Sequence, residues 1–170
     1  MRRLIIGAST LAAALMLTAV PASGQFYVGA YASLPSGDFK DAGANTGFAA
    51  EVGVRLFESA NEKLNFGVGG AYGMNGTDAD ALDFTQIMGL GHVVYTLSSG
   101  SAEPYLIGSA GYLSLKTEVG DASNTEGGIT FGGGIGVGFA TRWWIEGKFM
   151  TASIEDATIA QIMIGGGVSF

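Results

Sequence analysis

Large apolar residues alternate with small or polar residues along most of the chain, so that side chains of one kind recur at every second position. The alternation is clearest in residues 128–140, where the odd positions include Ile129, Phe131 and Ile135 and the even positions are mostly glycine. A period of two predicts β-strands. A strand face almost bare of side chains is typical of a cramped and strongly curved interior.

Segments of this kind recur along the rest of the chain. Each is about ten residues long, the length that a tilted membrane strand needs. An even strand number is usual for bacterial membrane barrels, and eight strands leave an interior that side chains just fill. The pattern therefore predicts one all-β domain over residues 25–170, an eight-stranded antiparallel up-and-down transmembrane β-barrel. The predicted strands are residues 26–34, 49–57, 64–74, 84–97, 105–117, 128–140, 143–152 and 161–170.

The first 24 residues do not follow this alternation. Arg2 and Arg3 precede an apolar run over residues 4–20, and small residues follow Pro21. This order is typical of a secretory signal peptide. The run is also short for an uncleaved membrane anchor, which needs about 20 apolar residues. We therefore expect residues 1–24 to be a cleaved signal peptide, with cleavage after Gly24 or after Ala22.

Composition narrows the classes of protein further. The chain has 29 glycines and no cysteine, which excludes a disulfide framework and thiol chemistry. Its formal net charge of −7 argues against a nucleic-acid partner, because binding to phosphates requires a basic surface. Mean hydropathy is positive, at +0.35, yet no apolar run after residue 24 is long enough for a transmembrane helix. A closed sheet is then the remaining way to cross a bilayer with every backbone group paired.

The segments between the predicted strands alternate in character. Four are polar and acidic, with ten carboxylates against the single Lys40. In an up-and-down barrel with periplasmic termini these four lie on the outer side. The predicted outer segments are residues 35–46, 75–83, 118–126 and 153–158, and the predicted periplasmic segments are residues 58–63, 98–103 and 141–142.

Charged residues also occur at positions that the alternation turns inward. A charge in a low-dielectric lumen needs a partner, because an unpaired charge costs several kcal/mol. Two interpretations remain open, a static polar plug and a salt-bridge gate that opens a narrow path. The predicted lumen network consists of Glu51, Arg55, Lys116, Glu146 and Lys148.

Few residues suggest catalysis or metal binding. His92 is the only histidine and faces inward by the alternation, but positions 90 and 94 beside it hold Leu and Val instead of a nucleophile. Asp78, Asp80 and Asp83 lie close together without the glycine and terminal glutamate of a calcium loop. One histidine without cysteine is a poor basis for a transition-metal site. We therefore expect no enzymatic activity, no cofactor and no metal.

Aromatic residues near the periplasmic strand ends form another group. Amphipathic rings prefer the headgroup level of a membrane, so outward aromatic residues there predict a girdle. In the fifth strand the same assignment turns Ile107 outward and Tyr112 inward, while Trp144 faces inward without a predicted role. The predicted girdle consists of Phe66, Tyr95, Tyr105 and Trp143.

Several segments resemble a known family. Residues 103–112, with Pro104-Tyr105 near the start and Gly111-Tyr112 at the end, resemble the fifth strand of small OmpA-like and OmpX-like outer membrane barrels. The glycine-rich residues 132–138 and the following residues 141–149 resemble the sixth strand, tight turn and charged seventh strand of these barrels. The resemblance covers residues 25–170.

The C-terminal residues resemble the β-signal of this family, which the barrel assembly machinery reads. Gly165, Val168 and Phe170 match its pattern, whereas Met163 stands where a polar residue is usual. The resemblance implies a protein of the cell outer membrane, delivered by periplasmic chaperones and assembled by that machinery. It also implies contact with outer membrane lipid and lipopolysaccharide, and a monomeric state.

The function that fits these features is that of a non-enzymatic outer membrane barrel with a plugged polar lumen. It would act in membrane integrity or in surface interaction through its acidic outer segments. The alternative is a narrow OmpW-like channel for small hydrophobic molecules, which should show a hydrophobic lumen or a lateral opening. The main alternative fold is a soluble lipocalin-like barrel, with apolar residues inside and polar residues outside.

Overall fold

A computed structural model describes residues 25–58, 63–77, 82–120, 122–139, 142–155 and 157–170. The predicted signal peptide and four of the ten acidic outer residues, Asp78, Asp80, Asp121 and Asp156, lie outside the described residues. The described chain is almost entirely β-structure, as the alternation predicts. Its elements are β1 (Gln25–Ser36), α1 (Asp38–Asp41), β2 (Ala44–Glu58), β3 (Leu64–Thr77), β4 (Leu82–Thr96), β5 (Ala102–Val119), β6 (Ala122–Phe139), β7 (Trp143–Ile154) and β8 (Ala157–Ser169).

The eight strands close into one barrel, each antiparallel to the next, which confirms the predicted topology. The closing pair is β1 with β8, whose register runs from Tyr27 opposite Ser169 to Ser36 opposite Ala160. Beyond it, the backbone of Phe26 exchanges two hydrogen bonds with that of Phe170, at 3.0 and 2.9 Å. Closure pairs the strand edges along the seam, which is the condition for placing a sheet in lipid.

Outward and inward positions alternate along the strands, with large apolar residues outside. In the lumen, polar and charged side chains, including Glu51, His92 and Lys148, are buried together with apolar ones such as Met150 and Met163. The large apolar residues on the outer face are opposite to the polar exterior of a lipocalin and suit a lipid surround. No helix in the described part of the chain has the length and hydropathy to span a bilayer. The most exposed apolar residues on the strands include Val52, Ile87, Ile129, Ile135, Ile145 and Ile164.

The predicted facing of β5 is wrong. Tyr105 is buried in the lumen, whereas Tyr112 is 57% exposed on the outer surface. The alternation could not decide this strand, because apolar residues occupy both parities, as at Tyr105 and Leu106. Pairing with β4 fixes the register by placing Ser109 opposite the inward His92. Tyr105 is therefore removed from the predicted aromatic girdle.

The wall of the barrel is taller on one side than on the other, because its strands differ in length. β5 and β6 have 18 residues each, whereas β1 and β7 have 12. β6 pairs with β7 only from Ile129 onward, so that residues 122–128 have β5 on one side and no described strand on the other. The prediction of a loop over residues 118–126 is thus wrong for most of its length. The segment forms the tip of a hairpin that turns at Gly120, whose φ is +56°.

The single-turn helix α1 covers the outer end of the lumen on the opposite side. Its Phe39 is completely buried and packs edge-on against Phe84, with 5.2 Å between the ring centroids. The carboxylate of Asp38 accepts a hydrogen bond from the backbone N–H of Thr158 at 3.1 Å, which ties α1 to β8. The outer mouth is therefore closed by an aromatic side chain from the β1–β2 connection.

Candidate functional site

A buried lysine lies at the centre of the lumen. Lys148 reaches across from β7, and its Nζ lies 2.7 Å from Oε2 of Glu51 on β2 and 3.3 Å from Oε1 of Glu146. Nζ also donates a hydrogen bond to the hydroxyl of Tyr31 at 3.2 Å and lies 4.3 Å from the centre of that ring. One ammonium thus joins a carboxylate of β2 to a carboxylate of its own strand, β7. The electrostatic attraction within such a cluster is strong in a low dielectric, and removing one partner lowers the stability of the fold.

Three tyrosines complete the hydrogen bonding of these carboxylates. Tyr27 donates to Oε1 of Glu51 at 3.0 Å, while Tyr31 and Tyr105 donate to the two oxygens of Glu146 at 2.7 and 2.9 Å. The sequence prediction placed none of these tyrosines in the lumen network and assigned Tyr105 to the girdle. For Tyr27 and Tyr31 a signal was present, because they share the parity of Gly29 and Ser33 in the first strand.

The five predicted lumen charges separate into three groups in the structure. Glu51, Glu146 and Lys148 form the central network. Arg55 lies nearer the chain termini, where its Nη1 donates to the side-chain oxygen of Gln25 at 2.8 Å. Lys116 is not in the lumen: it lies near the outer end, 42% exposed, and pairs with Glu118 at 2.6 Å. The inverted facing of β5 explains this error.

A second polar cluster fills the lumen between the central network and the outer mouth. Gln161 and Gln86 exchange amide hydrogen bonds at 2.9 and 3.2 Å. Gln86 also donates to Asn75 at 2.8 Å, and Ser33 donates to Gln161 at 2.6 Å. These uncharged groups satisfy one another directly, as buried polar groups must. Together with Phe39 they occupy the outer half of the lumen.

His92 has a neighbour that the sequence prediction excluded. Its Nδ1 lies 2.8 Å from Oγ of Ser109 on β5, and its Nε2 lies 3.2 Å from Oε1 of Glu51 at an angle unsuitable for a hydrogen bond. The expectation that no serine lies beside His92 is therefore wrong, because it considered only β4. Serine, histidine and carboxylate follow the order of a hydrolase triad. However, all three are buried, and the adjoining cavity of about 50 Å³ has room for water but not for a substrate.

Among the described residues, nothing closes the lumen at the end that holds Gln25 and Phe170, which is periplasmic in the predicted orientation. A chamber of about 300 Å³ lies there, lined by residues that include Arg55, Thr96, Tyr105 and Trp144. Arg55, Tyr105 and Trp144 also line the smaller cavity of about 50 Å³ beside the central network. The lumen is therefore asymmetric, filled in its outer half and hollow at its periplasmic end.

The remaining girdle residues and the predicted assembly signal occupy outward or seam positions. Phe170 is 72% exposed and stacks on Phe26, with 6.3 Å between the ring centroids. A Cβ at Gly165 would meet the carbonyl oxygen of Ala30, so glycine there permits close approach of β8 to β1. Val168 pairs with β1 and β7. The girdle and assembly roles themselves stay predictions. The outward aromatic residues are Phe66, Tyr95 and Trp143.

Comparison with known families agrees with this architecture. The model of the family described as outer membrane protein beta-barrel domain matches residues 8–170, which is nearly the whole chain. No curated protein matches the chain.

Solved structures with the same barrel share little sequence with the chain. Neisserial surface protein A is 15% identical, with a TM-score of 0.66 over 86% of this chain and 95% of that one. Ail, the attachment invasion locus protein of Yersinia pestis, is 17% identical, with a TM-score of 0.54 over 86% and 97%. The N-terminal β-barrel domain of Pseudomonas aeruginosa OprF is 9% identical, with a TM-score of 0.55 over 86% and 97%. At such identities the likeness shows the fold alone.

Proposed function

The chain belongs to the outer membrane protein β-barrel domain family, and on this basis we propose that it is a non-conducting, non-enzymatic barrel of the bacterial outer membrane. Its proposed role is to support membrane integrity and to present an acidic surface for interactions outside the cell. The apolar outer face would contact outer membrane lipid and the lipopolysaccharide leaflet, and one chain is sufficient to close the barrel.

The observation that carries this proposal is the filled lumen. Lys148 joins Glu51 to Glu146 across the barrel, and the amide cluster around Gln86 and Gln161 blocks the path toward the outer mouth. An ion would have to separate these groups to pass, and eight strands leave no room beside them. The OmpW-like alternative has less support, because a path for hydrophobic molecules would have to cross the charged network and the amide cluster.

The outer end of the barrel supports a role in surface interaction. Eighteen residues per strand in β5 and β6, at about 3.3 Å per residue and a tilt of about 40°, reach a height of about 45 Å, against about 25 Å for an apolar membrane band. The hairpin would therefore project from the membrane, with no described strand paired to its edge over residues 122–128. This edge carries Glu126, whereas Glu118 on the other strand pairs with Lys116, so the edge suits a partner in extended conformation with a basic side chain near Glu126.

Planar-bilayer recording tests the absence of conduction. The folded barrel is expected to give no current steps, and the OmpW-like alternative predicts regular ones. Glu146→Ala and Arg55→Ala, measured in the same way, distinguish the two interpretations of the lumen charges. If neither the wild type nor either variant conducts, the gate is excluded. If the wild type itself conducts, the proposal of a plugged lumen is wrong.

A permeability assay tests the proposed role in membrane integrity. Cells without the protein are expected to take up a hydrophobic dye faster than cells that express it, and the wild-type barrel should restore the lower rate. Equal dye uptake in both strains would contradict this role and leave surface interaction as the remaining proposal.

A further inference from the structure

The hollow periplasmic end of the lumen has the features of a small-molecule site. The chamber of about 300 Å³ is at the lower limit of the volumes that ligand pockets usually have. Its wall combines polar side chains with the rings of Tyr105 and Trp144, and the indole of Trp144 is itself buried. A few oriented polar groups on an aromatic wall are the usual composition of a site for a small ligand.

The guanidinium of Arg55 is a polar group of this wall with most of its hydrogen-bonding capacity unused. Arginine has five N–H donors, and Arg55 donates one hydrogen bond within the described part of the chain, to the neutral amide oxygen of Gln25. Within the described part of the chain it makes no contact with a carboxylate. A half-buried cation without a direct anionic partner favours an anion from solution, and its planar fork matches a carboxylate.

The carboxylates nearest the chamber have hydrogen-bond partners of their own. Glu146 lines the inner cavity, but its oxygens accept hydrogen bonds from Tyr31 and Tyr105, and Lys148 lies 3.3 Å from one of them. At the mouth, Glu103 and Arg142 both line the chamber, so that the wall there carries one charge of each sign. None of these carboxylates makes a direct contact with Arg55 within the described part of the chain.

From this arrangement we infer that the chamber binds a small organic anion from the periplasm. Its carboxylate pairs with the guanidinium of Arg55, and its flat apolar body lies against Trp144 and Tyr105. This inference is independent of the proposed surface role, since the chamber and the projecting hairpin lie at opposite ends of the barrel.

Benzoate is a suitable probe, with benzamide as a neutral molecule of the same shape. The chain has two tryptophans: Trp144 is buried in the chamber wall, whereas the exposed Trp143 lies at its edge, so the fluorescence of Trp144 reports on the contents of the chamber. The folded barrel in a nonionic detergent is titrated with each compound. Benzoate is expected to change the emission saturably, and benzamide to bind at least about tenfold more weakly, as the loss of a charge-assisted hydrogen bond implies. Trp143→Phe should retain the response, because Trp144 is the buried reporter.

Three variants decide between binding at Arg55 and a nonspecific effect. Arg55→Gln is expected to weaken benzoate binding by about tenfold or more, whereas Lys116→Gln, which removes the same charge at the opposite end, should not change it. Thr96→Phe fills the chamber without changing its charge and should abolish binding even if Arg55→Gln does not fold. Equal affinity for benzoate and benzamide, or unchanged binding after either chamber substitution, would overturn the inference.

Discussion

At the scale of single residues, Lys148 depends on two carboxylates for its place in the lumen. Glu51→Gln removes the closer one, at 2.7 Å, and leaves a fully buried ammonium beside Glu146 alone. Removing one partner of a buried pair costs about 3–5 kcal/mol. The free energy of unfolding should fall by about this amount, which a urea titration in lipid vesicles, followed by heat-modifiable gel mobility, would measure.

Lys116 provides the matched control for this network. Lys116→Gln breaks a half-exposed pair with Glu118, and such surface pairs contribute about 0–1 kcal/mol. The double variant Glu51→Gln/Lys148→Met should not recover the loss, because it leaves Glu146 buried without an ammonium partner. If Glu51→Gln and Lys116→Gln destabilise the barrel equally, the central network does not stabilise the fold.

Phe170 tests whether the last residue acts in assembly or only in the girdle. Because its ring is largely exposed and stacks on Phe26 alone, Phe170→Ser should change the stability of the refolded barrel little. If the ring is also read by the assembly machinery, the amount of folded protein in the outer membrane should fall several-fold in cells. Phe66→Ser, at another exposed aromatic near the same end, is the control. An equal fall for both variants would exclude a special role for Phe170.

The sequence was sufficient for the charged residues of the site and insufficient for their hydrogen-bond partners. Glu51, Glu146 and Lys148 could be predicted because a charged side chain on the glycine-rich face of a strand points into the lumen and away from the lipid. Tyr105 could not, because an aromatic ring suits both the lipid and the lumen, and only the register decides. Ser109 was missed for a related reason: its contact with His92 lies across a strand pair, which the pattern within one strand does not show.

At the scale of elements, closure of the barrel depends on close approach of β1 and β8. A Cβ at Gly165 would meet the backbone of β1 at Ala30, whereas a Cβ at Gly147, on the adjacent strand, would meet nothing within 4 Å. Gly165→Ala is therefore expected to lower the free energy of unfolding of the refolded barrel. Gly147→Ala should be neutral or stabilising by about 0.5–1 kcal/mol, since alanine restricts the unfolded chain.

The same urea titration compares the two alanine variants. Similar effects of both substitutions would show that the strand seam tolerates a methyl group and that Gly165 has no role in closure. Because the measurement uses refolded protein, it separates this packing role from the predicted role of Gly165 in the assembly signal.

The predicted elements differ from the observed ones where the alternation is ambiguous or interrupted. Strand number and order follow from the period of two, which the lipid outside and the crowded lumen inside both impose. The facing of β5 does not, because its two faces are equally apolar. The polar residues 122–126 appear as a loop in sequence, since strands outside the membrane need no apolar face, and the helix α1 is a single turn that no periodicity can reveal.

At the scale of the whole molecule, the lumen is divided along the barrel axis. Phe39 and the amide cluster fill the outer half, the charged network occupies the middle, and the chamber beside Arg55 is open at the periplasmic end. A filled outer half fits a protein that acts through its outer surface and its lipid-facing wall. It also means that solutes can approach the lumen from one side only.

The absence of cysteine from the chain makes this asymmetry measurable with single cysteines. Thr96→Cys places a thiol in the periplasmic chamber, Ser33→Cys places one in the buried amide cluster, and Val119→Cys places one at the exposed tip of the hairpin. A bulky water-soluble maleimide that does not cross the outer membrane should label only the Val119→Cys protein in intact cells. After the membranes are opened it should also label Thr96→Cys, while Ser33→Cys stays protected until the barrel is unfolded. Labelling of Thr96→Cys in intact cells would show that the orientation is the reverse of the predicted one or that the lumen is not plugged. Labelling of Ser33→Cys in the folded barrel would show that water reaches the amide cluster.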